Sequence, residues 1–207
     1  MSTLITISNL SILIPILFWV YRFKDIDKIY HIFGIYLISG LITEILLMVF
    51  GEKYIVLLTS SIFHFFESQC ILYVFLSWIG LKNNFGKIYH LLFFILVSIE
   101  FIYLFNTASY NVFRIYILIT IILVILGIKN LTSENLKINI SQKLIIIPVI
   151  VYFIYYSILD ILMTLLYSKE TKPIFINLYS IINLINFLSY ISYSLAFLWA
   201  PKKEKYL

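Results

Sequence analysis

An all-α bundle of seven transmembrane helices is the fold that this 207-residue sequence predicts. Three observations carry it. Hydrophobic residues make up 62% of the chain and charged residues only 12%, against about 25% charged in a soluble domain. That much apolar surface has no place in a soluble core of this size. The apolar residues are also gathered into continuous runs, several of them near the ~20 residues that a spanning helix needs. Short connectors separate the runs, and the basic residues sit mainly in those connectors. A membrane barrel does not fit, because the runs are unbroken and longer than strands of about ten residues. Residues 1–207 are therefore expected to form one integral-membrane domain.

The first span is expected at 3–21. This stretch lacks the positive n-region and small-x-small cleavage site of a signal peptide, so it reads as a helix that is kept. The second span, at 29–50, opens with Lys28-Ile29-Tyr30-His31. The third runs over 55–81. The fourth, 88–105, opens with Lys87-Ile88-Tyr89-His90, an echo of the second. Both tetrapeptides read as interfacial anchors, where Lys, Tyr and His place an apolar body in lipid and a polar tip in water. The fifth span is expected at 112–128. The sixth covers 144–167, with Pro148 one turn inside, where a missing N–H is tolerated. The seventh covers 174–200.

Orientation follows from the fifteen Lys and Arg residues. Arg22, Lys24 and Lys28 lie in the first connector, Lys82 and Lys87 in the third, Lys129, Lys137 and Lys143 in the fifth. Lys202, Lys203 and Lys205 lie in the tail on the same side, which makes eleven. Only Lys53, Arg114, Lys169 and Lys172 fall opposite. The positive-inside rule then puts the N-terminus outside and the C-terminus in the cytoplasm, as an odd number of spans requires. Trp19, Trp78 and Trp199 fall near the cytoplasmic ends of spans one, three and seven, the place of an interfacial belt. The expected location is the bacterial inner membrane, with lipids as the first partners. Basic residues confined to connectors signal topology and not nucleic-acid binding. The lone Cys70 excludes an internal disulfide and a cysteine metal cluster, and its apolar setting predicts an inert core thiol.

Ionisable groups at membrane depth are costly and face a cavity or a partner. With the orientation above, Glu44, His64, Glu67, Glu100, Arg114 and Asp160 all fall in the outer half. His64 and Glu67, three residues apart, share a helical face with Ser60, and are expected to form a coupled pair. Tyr36, Gly40 and Glu44 form one stripe on span two. Tyr152, Tyr156, Asp160 and Thr164 recur every four residues on span six. Tyr179, Asn183, Asn186, Tyr190 and Tyr193 follow a 4-3-4-3 spacing on span seven. Lipid cannot satisfy these groups, so each stripe is expected to face the bundle. Glu44, His64, Glu67, Glu100, Arg114, Tyr156, Asp160, Asn183 and Asn186 are the candidate ligand- or proton-binding residues.

Seven spans with an outside N-terminus is also the plan of several large families, and the residues that define each are missing here. Span seven has no lysine for a retinal Schiff base. No Pro-Gln dipeptide of the sugar-transporter kind occurs. The three intramembrane histidines of ceramidase-like hydrolases are not matched, since His31 and His90 fall at the cytoplasmic rim. The Glu-x-x-His repeat of di-iron bundles is met once only, in reverse, by His64 and Glu67. No GxSxG, Walker or HExxH pattern is present, and neither a metal nor a cofactor is expected.

The function these residues favour is binding, sensing or transport of a small cationic ligand or protons in an acidic, tyrosine-lined cavity, alone or as an accessory subunit of a membrane protein partner. An intramembrane enzyme acting on a lipid-linked substrate by carboxylate and histidine acid–base chemistry is the alternative. A ligand-free scaffold, its polar groups serving only as interhelical contacts, is the second.

Overall fold

The computed structural model describes residues 10–49, 53–80, 113–132, 138–166 and 172–202, together with 87, 88, 90–92, 94, 95, 98, 99 and 102. The described residues are almost all helical. Six helices are named in chain order: α1 (Leu13–Tyr21), α2 (Lys28–Val49), α3 (Lys53–Trp78), α4 (Phe113–Thr132), α5 (Ile140–Leu166) and α6 (Lys172–Trp199). The described residues between 87 and 102 are helical as well. Segments within α2, α5 and α6 (Lys28–Leu46, Ile140–Leu159 and Pro173–Trp199) are long and apolar enough to cross a membrane. Most of the described residues of the α6 segment are not buried within the chain. Leu17, Leu165 and Ile174 are among the many large apolar side chains that point outward, which suits an apolar solvent and not water.

The helix ends have local causes. α3 stops where Gly80 takes φ +77°, the left-handed geometry that closes helices and that glycine adopts without strain. α5 begins at Ile140, four residues before the expected start. A reciprocal cap explains this: the Asn139 side chain accepts the Gln142 N–H at 2.9 Å, while the Asn139 N–H donates to the Gln142 side chain at 3.0 Å.

Pro148 consequently sits more than two turns inside α5, deeper than the sequence suggested. A proline there leaves the carbonyl four residues earlier, that of Leu144, without its helical donor. Ser192 on α6 supplies one, its hydroxyl donating to the Leu144 oxygen at 2.8 Å. Ser192→Ala is expected to destabilise the folded protein by about 1 kcal/mol. In a Pro148→Ala background the restored N–H should make the same change nearly neutral. A double-mutant cycle on thermal unfolding measures this, and additive effects would refute it.

Each named helix packs on its neighbour in the chain, and α6 closes on α1. α2 and α3 are antiparallel, with Tyr30 beside Trp78 (ring centroids 6.1 Å) and Tyr36 beside Phe63 (6.2 Å). α5 and α6 are antiparallel too, since Leu144 meets Ser192 and Tyr155 meets Leu178. α1 and α6 end side by side: the Arg22 guanidinium donates to the Leu198 carbonyl and, at 3.1 Å, to that of Ala200. A cation on the last carbonyls of a helix complements its dipole. Asn130 near the end of α4 donates to the Phe75 carbonyl near the end of α3, and Tyr30 meets Ser141 at the start of α5. One end of the ring therefore gathers the last turns of α1, α3, α4 and α6 and the first turns of α2 and α5. Arg22, Lys24, Lys28, Lys129, Lys143 and Lys202 all belong to that end, as the connector count anticipated.

The main apolar core fills the basic end around Phe33, Phe75, Leu123, Ile146 and Phe197. A smaller cluster of Leu159, Phe175 and Ile182 lies toward the other end. Trp19 and Trp78 are core residues, 6% and 8% exposed, and do not form an interfacial belt; only Trp199 stands out at 58%. The reason is local. Gly34 has no side chain, and the Trp19 indole lies across it, donating to His31 Nδ1 at 3.2 Å. His90 also sits deeper than its expected place at the rim. It meets Gln69 at 3.4 Å and the Tyr73 ring, five to nine residues before the end of α3. Cys70 is buried, as expected.

Candidate functional site

A cavity of about 180 Å³ lies inside the ring, walled by α2, α3, α5 and α6. It begins where the main core stops, because the polar residues of these four helices cannot join that core without partners. α2 contributes Tyr36, Gly40, Thr43 and Glu44, on the stripe read from sequence with Thr43 added. Spacings of three and four keep them on one face. α3 contributes Phe63, Glu67 and Ile71, again at four-residue steps. α5 contributes Val149, Tyr152 and Phe153, the residues just beyond Pro148. α6 contributes Asn186, Ser189, Tyr190 and Tyr193, while Ile12 closes the wall beside α1.

Among the described residues Glu67 is the most buried acid, 1% exposed. It lies near the middle of α3, about 17 Å along the helix from Trp78. Its Oε1 accepts the Tyr36 hydroxyl at 3.1 Å. Glu44 is half-buried, two turns farther along α2 than Tyr36 and thus farther from the basic end. The aromatic walls are ordered by ring contacts. Tyr36 stacks on Phe63 at an interplanar angle of 19°, and Tyr193 meets Phe33 edge-on at 4.9 Å. Tyr190 and Tyr193 are 6.3 Å apart. The Ser189 hydroxyl donates to the Ile185 carbonyl at 2.7 Å.

Among the nine residues expected to form the site, Glu44, Glu67 and Asn186 line this one cavity. Tyr156 stacks on Tyr152 at 5.7 Å, one turn beyond the wall. Asn183 is half-buried on α6, one turn from Asn186 and toward the other end. Glu100 and the side chains of His64, Arg114 and Asp160 lie outside the described residues, and the expected His64–Glu67 pairing lies there with them. The donor the structure gives Glu67 is Tyr36 on the neighbouring helix.

The lining tyrosines 36, 152, 190 and 193 belong to the polar stripes, but sequence singled out only their neighbours. Thr43 and Ser189 carried a findable signal, each three residues after a stripe member. Phe63 and Ile12 carried none, since nothing distinguishes them from lipid-facing residues. Among the described residues, no Lys, Arg or His lines the cavity, and no three of His, Cys, Asp and Glu come together as a metal site would need. The cavity thus offers two carboxyl groups, amide and hydroxyl oxygens and six aromatic rings to whatever enters it. Comparison of the chain with protein-family models, curated proteins and solved structures finds no match.

Proposed function

We propose that this protein is a seven-span protein of the bacterial inner membrane, N-terminus outside and C-terminus cytoplasmic, whose central cavity binds a small cation. The observation that carries the binding reading is the lining itself. Glu44 and Glu67 face one small cavity together with four tyrosines. Two carboxyl groups on the wall of one small, low-dielectric cavity favour a positively charged occupant. Interhelical contact alone is a modest return for such groups, at about 0.6–2 kcal/mol each.

The support for the span plan is the alternation of helix directions. α1 and α6 end together, α2 and α5 start there, and His90 and Phe94 pair with Gln69 and Phe65 in antiparallel order. The basic end would face the cytoplasm. Reporter fusions after Lys87 and Leu207 should score cytoplasmic, and one after Lys53 external. A cytoplasmic score after Lys53 would overturn the orientation.

Binding is tested on purified protein in lipid nanodiscs, by thermal unfolding against sodium, potassium, methylammonium and tetramethylammonium chlorides. Neutral tert-butanol serves as control. At least one cation should raise the unfolding temperature with saturation, and tert-butanol should not. The double variant Glu44→Gln, Glu67→Gln should lose the response. No saturable cation effect, or an equal effect of the alcohol, would overturn the reading.

A further inference from the structure

We infer that His31 is a pH switch at the basic end: a proton on its Nδ1 releases α1 from α2, and with α1 goes Ile12, the part of the cavity wall that this helix supplies. Its functional meaning rests on the binding reading above, but it is tested without a cation, so either can fail alone. The hydrogen bond to Trp19 fixes the protonation of His31. An indole N–H can only donate, so the His31 Nδ1 that receives it at 3.2 Å must be bare. The neutral ring then carries its proton on Nε2. An imidazolium has N–H on both nitrogens, and Nδ1–H would face the indole N–H, donor against donor. Trp19 is buried, so its N–H would be left without an acceptor, which is a costly state. Histidine changes charge between about pH 5 and 8, and His31 is half-buried, one turn into α2.

Trp19 in turn holds α1 in place. Its indole lies across Gly34 and meets Phe23 at 5.2 Å, and Phe23 meets the His31 ring at 4.4 Å. Two turns earlier on α1, Ile12 closes the cavity beside Gly40 and is only 3% exposed. At its other end α1 is tied to α6 by the Arg22 guanidinium, on the Leu198 and Ala200 carbonyls. A proton at His31 leaves that tie and breaks the one at Trp19. α1 can then pivot at Arg22 and carry Ile12, about 15 Å away along the helix, out of the wall. The charged groups around His31 are Asp27 and Lys28, one turn before it, and Arg22, Lys24 and Asp25 in the segment that packs on it. Arg22 lies 3.8 Å from Asp25, and the Asp27 carboxyl takes the Lys28 N–H at 2.6 Å. Backbone pairing of Lys202 with Ile26 brings the tail to the same end. These charges are common to every variant below, so their titration cancels in the comparison.

The test uses the full chain in nanodiscs and two signals. With isotope-labelled indole nitrogens, the Trp19 resonance is assigned by its loss in Trp19→Phe. It should shift between about pH 7.5 and about pH 5.5. In His31→Gln it should stay in place, because the glutamine oxygen accepts the indole N–H at either pH. The wall is read with Ile12→Cys in a Cys70→Ser background, labelled by a small methanethiosulfonate; Thr43→Cys, also on the wall, is the second probe position. Acid slows every thiol, so the quantity compared is the labelling rate with His31 divided by that with His31→Gln. That ratio should rise roughly fivefold or more on acidification. A Trp19 resonance that ignores pH, or moves equally in His31→Gln, would overturn the switch at its origin. A resonance that shifts while the ratio stays constant would overturn the link to the cavity. Either result leaves the cation reading untouched.

Discussion

Glu67→Gln is expected to weaken binding of a small monovalent cation roughly a hundredfold while leaving the protein folded. The substitution keeps the shape of the side chain and an oxygen for the Tyr36 hydroxyl, but removes the charge. Two unit charges about 5 Å apart interact by about 3 kcal/mol at an effective dielectric of 20, which is a factor of about 100 in affinity. Glu67→Leu separates the structural role from the electrostatic one. It strands the Tyr36 hydroxyl that Glu67 now accepts, and an unsatisfied buried donor costs about 1–3 kcal/mol. Folded yield should therefore fall for Leu and not for Gln. Titration of both variants in nanodiscs, beside their thermal unfolding, decides the matter. Wild-type affinity in Glu67→Gln would mean that the acid holds the bundle together and does nothing else.

Gly34→Ala is expected to destabilise the fold by about 1–3 kcal/mol, the range for overfilling a packed core, and Gly34→Leu to prevent folding. A Cβ at Gly34 would lie 2.4 Å from the Trp19 indole. That ring is flat and stiff, lies in the buried core, and would lose its bond to His31 on moving. Gly40→Ala is the matched control on the same helix. Its added methyl meets the flexible tip of Ile12 at 3.1 Å, which can swing aside, so the change should be milder. Thermal unfolding of the two alanine variants compares them directly, and equal effects would refute the account.

Helix positions were largely legible from composition. α2 and α3 begin within two residues of their expected starts and α6 ends at Trp199, because a run of apolar residues between charged connectors leaves few places to stop. The start of α5 was misplaced by a signal that was present, the Asn139-x-x-Gln142 cap, which outweighs the polar look of 140–143. Glu44, Glu67 and Asn186 were legible as inward groups for the same reason: a carboxyl or amide in an apolar run has to find an interior. Trp19 and Trp78 fall in the core because tryptophan suits a membrane interface and a core equally well, and packing chooses: Trp19 lies across Gly34, and Trp78 lies beside Tyr30 and Phe75.

The sequence by itself determined a helical chain with membrane-length apolar segments, basic residues at one end and polar stripes turned inward. Those properties depend on hydrophobic period and on the cost of polar groups in lipid, and both act locally along the chain. Tertiary structure alone decided which stripes share a cavity, that Tyr36 on the neighbouring helix donates to Glu67, and that Ser192 supplies the bond Pro148 removes. Each of these is a meeting of side chains from different helices. Helix rotation and depth are set by the packing of the whole ring, and no single run of residues encodes that.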